Sequence, residues 1–193
     1  MKLILASQSP RRRELLGLMG FSDFIVRPAR GEERADPGLA PDRLVETLSR
    51  QKAREVAAGA GPDDVIVAAD TVVAADGRIL GKPRDEADAR AMLTLLSGRT
   101  HAVYTGFTVR RGGREVTGHE TTEVVFRPLT GEEIDAYVAT GEPMDKAGAY
   151  GIQGRGCVLV ERICGDYFNV MGLPVCRLAG VLRSFGLDPL RPE

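Results

Sequence analysis

The chain has 193 residues, 43% hydrophobic and 27% charged, which is enough apolar material for one substantial core, in one domain or two lobes, and argues against a disordered chain. Its 26 Lys+Arg against 27 Asp+Glu leave a formal net charge of -1, which argues against a nucleic-acid-binding protein, where a basic excess is the rule. The opening apolar stretch ends at Ser7, too short for a secretory signal or a bilayer span, so a soluble cytoplasmic protein is expected.

A short strand is predicted over 2–6, running through the hydroxyl-rich turn Ser7-Gln8-Ser9 into a helix over 10–19. Ser9 is its cap, Pro10 suits its first position, and Gly20 ends it, with Leu15, Leu16, Leu18 and Met19 expected to be buried. Arg11, Arg12 and Arg13 fill the first turn, where cations oppose the helix dipole, so local stability does not place them there. Free N–H groups and guanidinium forks at a helix start suit phosphate. Two alternatives are a solvated face with one arginine meeting a carboxylate of the chain, and DNA, since SPRR resembles short basic DNA-binding motifs. The charge balance disfavours DNA, and a small phosphorylated ligand fits better.

After a strand at 24–27, residues 28–41 are rich in Pro, Gly and charge and read as a loop. A helix from Asp42 to about Gly59 carries Leu44, Val45, Leu48 and Val56 on one side, and Lys52, which taken alone reads as a solvated residue. VIVAAD at 65–70 is a continuous apolar run, expected as a strand covered on both faces and ending in Asp70. An ionised carboxylate there needs a metal, a cation or strong hydrogen bonds; a structural salt bridge is the plainer reading. Residues 71–74 can continue the strand, and ADGR at 75–78 reads as an Asp-Gly hairpin turn. Lys82, between Gly81 and Pro83, lies on a stiffened turn that can aim an ammonium at a substrate, with simple surface exposure as the alternative.

A helix over 85–96 is capped by Asp85, has Met92, Leu95 and Leu96 as its core face and stops at Gly98. Long strands at 100–109 and 115–126 are joined by RRGG as a hairpin. Thr130 and Glu133 form a capping box for a helix ending near Gly141, a strand follows at 157–163, and a last helix at 174–185 precedes a short tail. The order is mixed α/β, with helices between early strands and a long antiparallel element later, rather than a plain doubly wound sheet.

Neither GxxxxGK[ST] nor a GxGxxG after a strand occurs. Cys157, Cys164 and Cys176 have no CxxC or zinc spacing and read as reduced core thiols. With only His101 and His119, both in predicted strands, a histidine-rich metal site or a Ser-His-Asp triad is not expected, and any metal should be hard and oxygen-bound. The remaining carboxylates and cations suit metal-assisted phosphoanhydride hydrolysis.

ASQSPRR at 6–12, AADT at 68–71, GKP at 81–83, LSGRTH at 96–101, PMDKAGAYGIQG at 143–154 and VMGLP at 170–174 occur in this order. On these strings, which span nearly the whole chain, the sequence resembles the Maf family of nucleoside triphosphate pyrophosphatases. The resemblance implies cleavage between the α and β phosphates with a divalent cation, Mg²⁺ or Mn²⁺. It also implies a single domain over 1–193, built on an elongated mixed sheet flanked by helices, with two lobes around a cleft, similar to inosine triphosphate pyrophosphatases. It places Ser9, Arg12, Glu33, Lys52, Asp70 and Lys82 in the catalytic and phosphate-binding set, with Arg13 beside them. In that set Asp70 would take a proton from the attacking water or hold the metal, Glu33 would be the second carboxylate, and Arg12, Lys52 and Lys82 would neutralise the polyphosphate. Arg11, Thr71 and Gln153 match the pattern of the dTTP/UTP branch; the branch preferring 7-methyl-GTP has Trp where Arg11 stands, and this chain has no Trp. The Gln153 amide can donate to and accept from a pyrimidine edge, including modified uridines, although IQG can also be merely a turn. The basic residues in ARGEER, 29–34, depart from the family pattern, so Glu32 could exchange roles with Glu33. A homodimer is compatible with the resemblance, and a nucleotide-binding regulator of septum formation is the alternative function. All of this requires Asp70 and the amino-terminal guanidiniums to be neighbours.

Overall fold

Strand pairing in the computed structural model, which describes residues 1–36 and 38–191, gives a seven-stranded mixed sheet. Pro37 in the predicted loop, and Pro192 and Glu193 in the predicted tail, lie outside the described residues. The strands are β1 (Leu3–Leu5), β2 (Phe24–Val26), β3 (Val65–Ala75), β4 (Arg78–Leu80), β5 (Thr100–Arg111), β6 (Arg114–Phe126) and β7 (Val160–Cys164). Their order is β2-β1-β3-β5-β6-β7, with β4 on β3. β1 lies parallel between β2 and β3, Ile4 facing both Ile25 and Ile66. Parallel neighbours need crossovers, supplied by helices α1 (Pro10–Leu18) and α2 (Pro41–Ala57). Ala53 and Val56 of α2 pack on Ile4, Ala6, Ile66 and Ala68, so β1 and β3 are as apolar as a covered parallel sheet requires.

Short loops set the antiparallel part. Asp76 and Gly77 both have positive φ, 49° and 71°, the type I′ geometry whose twist matches the β3–β4 pair. The β5–β6 turn is only Gly112-Gly113, so Arg110 and Arg111 of the predicted RRGG loop belong to β5.

The chain divides into two compact units. The first comprises 1–70, 105–120 and the chain from Gly172 onward; the second comprises 71–104 and 121–171. The first contains α1, α2 and the last helix, α6 (Val175–Ser184), which buries Leu178 and Leu182. α2 comes so close to β5 that a Cβ on Gly106 would lie 2.3 Å from the Val45 backbone. The second contains α3 (Glu86–Leu96), α4 (Gly131–Val138) and α5 (Tyr167–Met171). Asp85 and the Thr130/Glu133 capping box begin α3 and α4 as expected.

Several expectations are corrected. Asp70 does not end its strand: β-branched Thr71, Val72 and Val73 continue it, and Val73 pairs with Leu80. Leu18 is 69% exposed, because Leu15, Leu16 and Met19 form the inward stripe of α1. The core face of α3 is Ala89, Leu93 and Leu96, spaced four and three apart, leaving Met92 and Leu95 on its flank. Leu44 is only half-buried at the start of α2. The strand predicted from 157 begins at Val160, because Arg155–Leu159 winds as a 3₁₀ turn. The three cysteines are free but exposed, not core: Cys157 is on that turn, Cys164 ends the outermost strand β7, and Cys176 is in the first turn of α6. The brief α5 carries no periodic signal long enough to read from sequence.

Candidate active site

The turn after β1 builds the anchor for Arg12. Ser9 caps α1, its Oγ accepting from the Arg12 N–H at 3.5 Å, with Pro10 opening the helix. Buried Ser7 accepts from the Ser9 N–H at 3.1 Å and from Arg12 Nη1 at 3.3 Å. Arg12 Nε donates to the Gly172 carbonyl at 2.8 Å. Gly172, in the turn directly after α5, has φ 112°, a left-handed value that favours glycine. Desolvation lowers the Arg12 pKa and the charge of Arg11 adds to the effect; Asp70 and Glu33 oppose it, so the guanidinium feels both carboxylates. Arg11 is half-buried; exposed Arg13 lines a 590 Å³ concavity with Ser7, Ser9, Phe21 and Phe24.

Lys52 gathers the carboxylates. Its ammonium lies 2.5 Å from Asp70 Oδ1 and 2.8 Å from Glu33 Oε1. Ala53 and Val56 fix the inner face of α2, leaving Lys52 at the margin where its stem is covered and its head meets Asp70. Asp70 is buried, and this ammonium offsets its desolvation. Glu33 arrives on a loop pinned to α2. Glu55 Oε1 accepts from the N–H groups of Arg30 and Gly31 at 2.7 and 3.0 Å, and Gln51 Oε1 accepts from the Arg34 N–H at 3.1 Å. Glu32 instead pairs with Arg34 in solvent at 3.1 Å, so the ammonium meets Glu33 and not Glu32.

Arg12, Lys52, Asp70 and Glu33 are thus brought together within the first unit, whereas Thr71, Lys82 and Gln153 belong to the second. Thr71 follows Asp70 on β3, half-buried on the alternate face. Lys82 is exposed beyond β4, on a turn anchored by buried Pro83 and by the Gly148 N–H donating to the Gly81 carbonyl at 3.0 Å. Gln153 is exposed in the turn before Arg155.

Sequence reasoning missed Ser7, Gln51, Glu55 and Gly172 as supports. Glu55 was within reach, being one helical turn from Lys52; the Gly172 contact, 160 residues from Arg12, had no local signal. No cluster of three or more His, Cys, Asp or Glu suited to a metal exists among the described residues. Two carboxylates with hard oxygen donors do fit Mg²⁺, which is commonly held by one or two carboxylates together with substrate phosphates and water.

Comparisons with known proteins identify the family of the chain. The family described as Maf-like protein matches residues 2–185. A dTTP/UTP pyrophosphatase of Moorella thermoacetica is 54% identical over 189 residues, covering 97% of this chain and 96% of that protein. One of Bacillus pumilus is 50% identical over 188 residues, covering 97% and 98%. A HAM1 protein from Coxiella burnetii, 17% identical, superposes with a TM-score of 0.55 over 95% of this chain and 99% of that one, a likeness of fold alone. With its family strings, its mixed sheet and near full-length relatives in agreement, this chain belongs to the Maf family.

Proposed function

We propose that the protein hydrolyses dTTP and UTP, and modified uridine triphosphates, to the nucleoside monophosphate and pyrophosphate. The observation that carries this reading is the ammonium of Lys52 shared by Asp70 and Glu33 within the field of Arg12, in a chain about half identical throughout to proteins named dTTP/UTP pyrophosphatase. A carboxylate set among cations suits proton abstraction beside a polyanion.

Water attacks the α phosphorus, forming the new P–O bond while the bond to the bridging oxygen breaks and pyrophosphate leaves. Asp70 takes the proton of that water, or would instead hold a divalent cation together with Glu33. Arg12 and Lys52 compensate the charge that develops on the phosphoryl oxygens. Ser9, the start of α1, Arg13 and Lys82 bind the remaining phosphates. Asp70 and Glu33 would hold a divalent cation, Mg²⁺ or Mn²⁺, which when bound acidifies water and neutralises the triphosphate. Arg11, Thr71 and Gln153 select the base, the Gln153 amide both donating to and accepting from a pyrimidine edge. The enzyme works as one Maf domain over 1–193, in the cytoplasm, as a homodimer, on free nucleotides rather than nucleic acid.

Pyrophosphate release from dTTP, UTP, CTP and 7-methyl-GTP, measured in Mg²⁺ and in Mn²⁺, tests reaction, selectivity and cofactor together. Turnover of dTTP and UTP well above the other two is expected. Release from none of the four would sink the reading.

A further inference from the structure

A single carboxylate holds the turn that carries Gln153. Glu142 Oε1 accepts from the Tyr137 hydroxyl at 2.8 Å and from the Gly156 N–H at 3.0 Å, while Oε2 accepts from the Arg155 N–H at 2.8 Å. The Tyr137 hydroxyl in turn accepts from the Gly151 N–H at 3.1 Å. The backbone is therefore gripped two residues before Gln153 and two and three residues after it.

The glycines fit around this grip. A Cβ on Gly154 would lie 2.5 Å from the Glu142 oxygens; on Gly156 it would lie 2.6 Å from the Tyr137 hydroxyl, and on Gly151 2.5 Å from Lys146 Cε. Lys146 closes the circuit by donating to the Glu142 carbonyl at 2.6 Å. Burial works against the charge of Glu142, yet the N–H groups of Gly156 and Arg155 and the Tyr137 hydroxyl outweigh it and hold its carboxyl below the usual range. Such convergence of donors on an ionised acceptor makes a rigid turn, while Gln153 itself stays exposed at its tip.

We propose that Glu142, with Tyr137 as its bridge to Gly151, is a positioning residue for base selection: it fixes the backbone of residues 151–156 so that the Gln153 amide presents its donor and acceptor to the pyrimidine at a set angle. Glu142 touches no substrate. The proposal rests on the reading above in which Gln153 meets the base.

The test is steady-state kinetics of dTTP, UTP, CTP and 7-methyl-GTP with the wild type, Glu142→Gln, Tyr137→Phe, Gln153→Ala and Glu142→Gln/Gln153→Ala. A glutamine at 142 keeps the size but sets an NH₂ against a backbone N–H, so KM for dTTP and UTP should rise about tenfold with kcat within about twofold. The preference for dTTP over CTP should shrink by a similar factor, and Tyr137→Phe should shift it the same way by about threefold. In the double variant Glu142→Gln should add nothing to the loss already caused by Gln153→Ala, the signature of action through one residue. If Gln153→Ala leaves the preference intact, the base-contact reading and this proposal fall together. If Gln153→Ala loses the preference while Glu142→Gln and Tyr137→Phe retain it, the proposal alone is overturned. Should Glu142→Gln not fold, Tyr137→Phe decides by the same criterion.

Discussion

Lys52 and Asp70 meet across α2 and β3 at 2.5 Å, a contact that reserves one oxygen of a buried carboxylate for an ammonium and couples stability to charge at the same place. Removing either partner has opposite structural consequences. Lys52→Met strips the buried Asp70 carboxylate of its directly bonded cation, leaving only the field of Arg12, and should lower unfolding free energy by about 3 kcal/mol in urea titration. Asp70→Asn leaves a mostly buried Lys52 that still has Glu33, so it should fold, yet lose at least about a hundredfold in kcat. A folded Asp70→Asn protein with wild-type turnover would remove Asp70 from the mechanism.

Glu32 and Glu33 are chemically equal in the sequence and unequal in the fold. Glu33→Gln should reduce kcat by more than about tenfold, whereas Glu32→Gln, which loses only an exposed pair with Arg34, should stay within about twofold. Parallel kinetics at saturating Mg²⁺ distinguish the two, and equal losses would contradict the geometry.

Gly106 is a purely structural position. A methyl group there would meet the Val45 carbonyl carbon and oxygen at 2.3 Å, backbone atoms that cannot swing aside, so Gly106→Ala should cost about 3 kcal/mol of stability. Thermal unfolding reads this directly, and an unchanged midpoint would mean that α2 is not held against β5.

His101 predicts how acid acts on the fold. It is buried against Phe126 and Tyr150, its Nε2 2.8 Å from the Tyr150 hydroxyl and its Nδ1 without a hydrogen-bond partner among the described residues. Protonation would create a second buried donor with no acceptor, and burial lowers the pKa from 6.5 to about 4. Between those values the unfolded chain takes up a proton that the native one refuses. The neutral-imidazole contribution is therefore complete above pH 6.5 and is lost as pH falls towards 4, about 3 kcal/mol in all. Urea titrations at pH 7 and 4.5 should show this loss in the wild type and a smaller one in His101→Gln.

Features decided by neighbours in sequence were legible without coordinates. Ser9 before Pro10, Asp76 before Gly77, and Thr130 with Glu133 each specify a turn or cap through groups at most three residues apart. Choosing between adjacent apolar residues was harder: Leu18 and Met92 fit a helical stripe nearly as well as Met19 and Leu93, and only the opposing surface decides. The cysteines misled because a small apolar thiol suggests burial, whereas a 3₁₀ turn, an edge strand and an outer helical face left all three exposed. In the site, Asp70 was readable from its apolar strand, but its mid-strand location depended on pairing with β4. The Glu55 grip that selects Glu33 depends on the loop folding back over α2.

The Gly172 carbonyl that steadies Arg12 lies 160 residues further along the chain. A nascent polypeptide emerging from the ribosome would already display Ser9, Arg12, Lys52 and Asp70 while lacking the oxygen that orients the guanidinium. The orienting contact is thus deferred until the chain has grown 160 residues past the arginine it steadies, so the start of α1 and the turn at Gly172 must be folded together before the guanidinium is held.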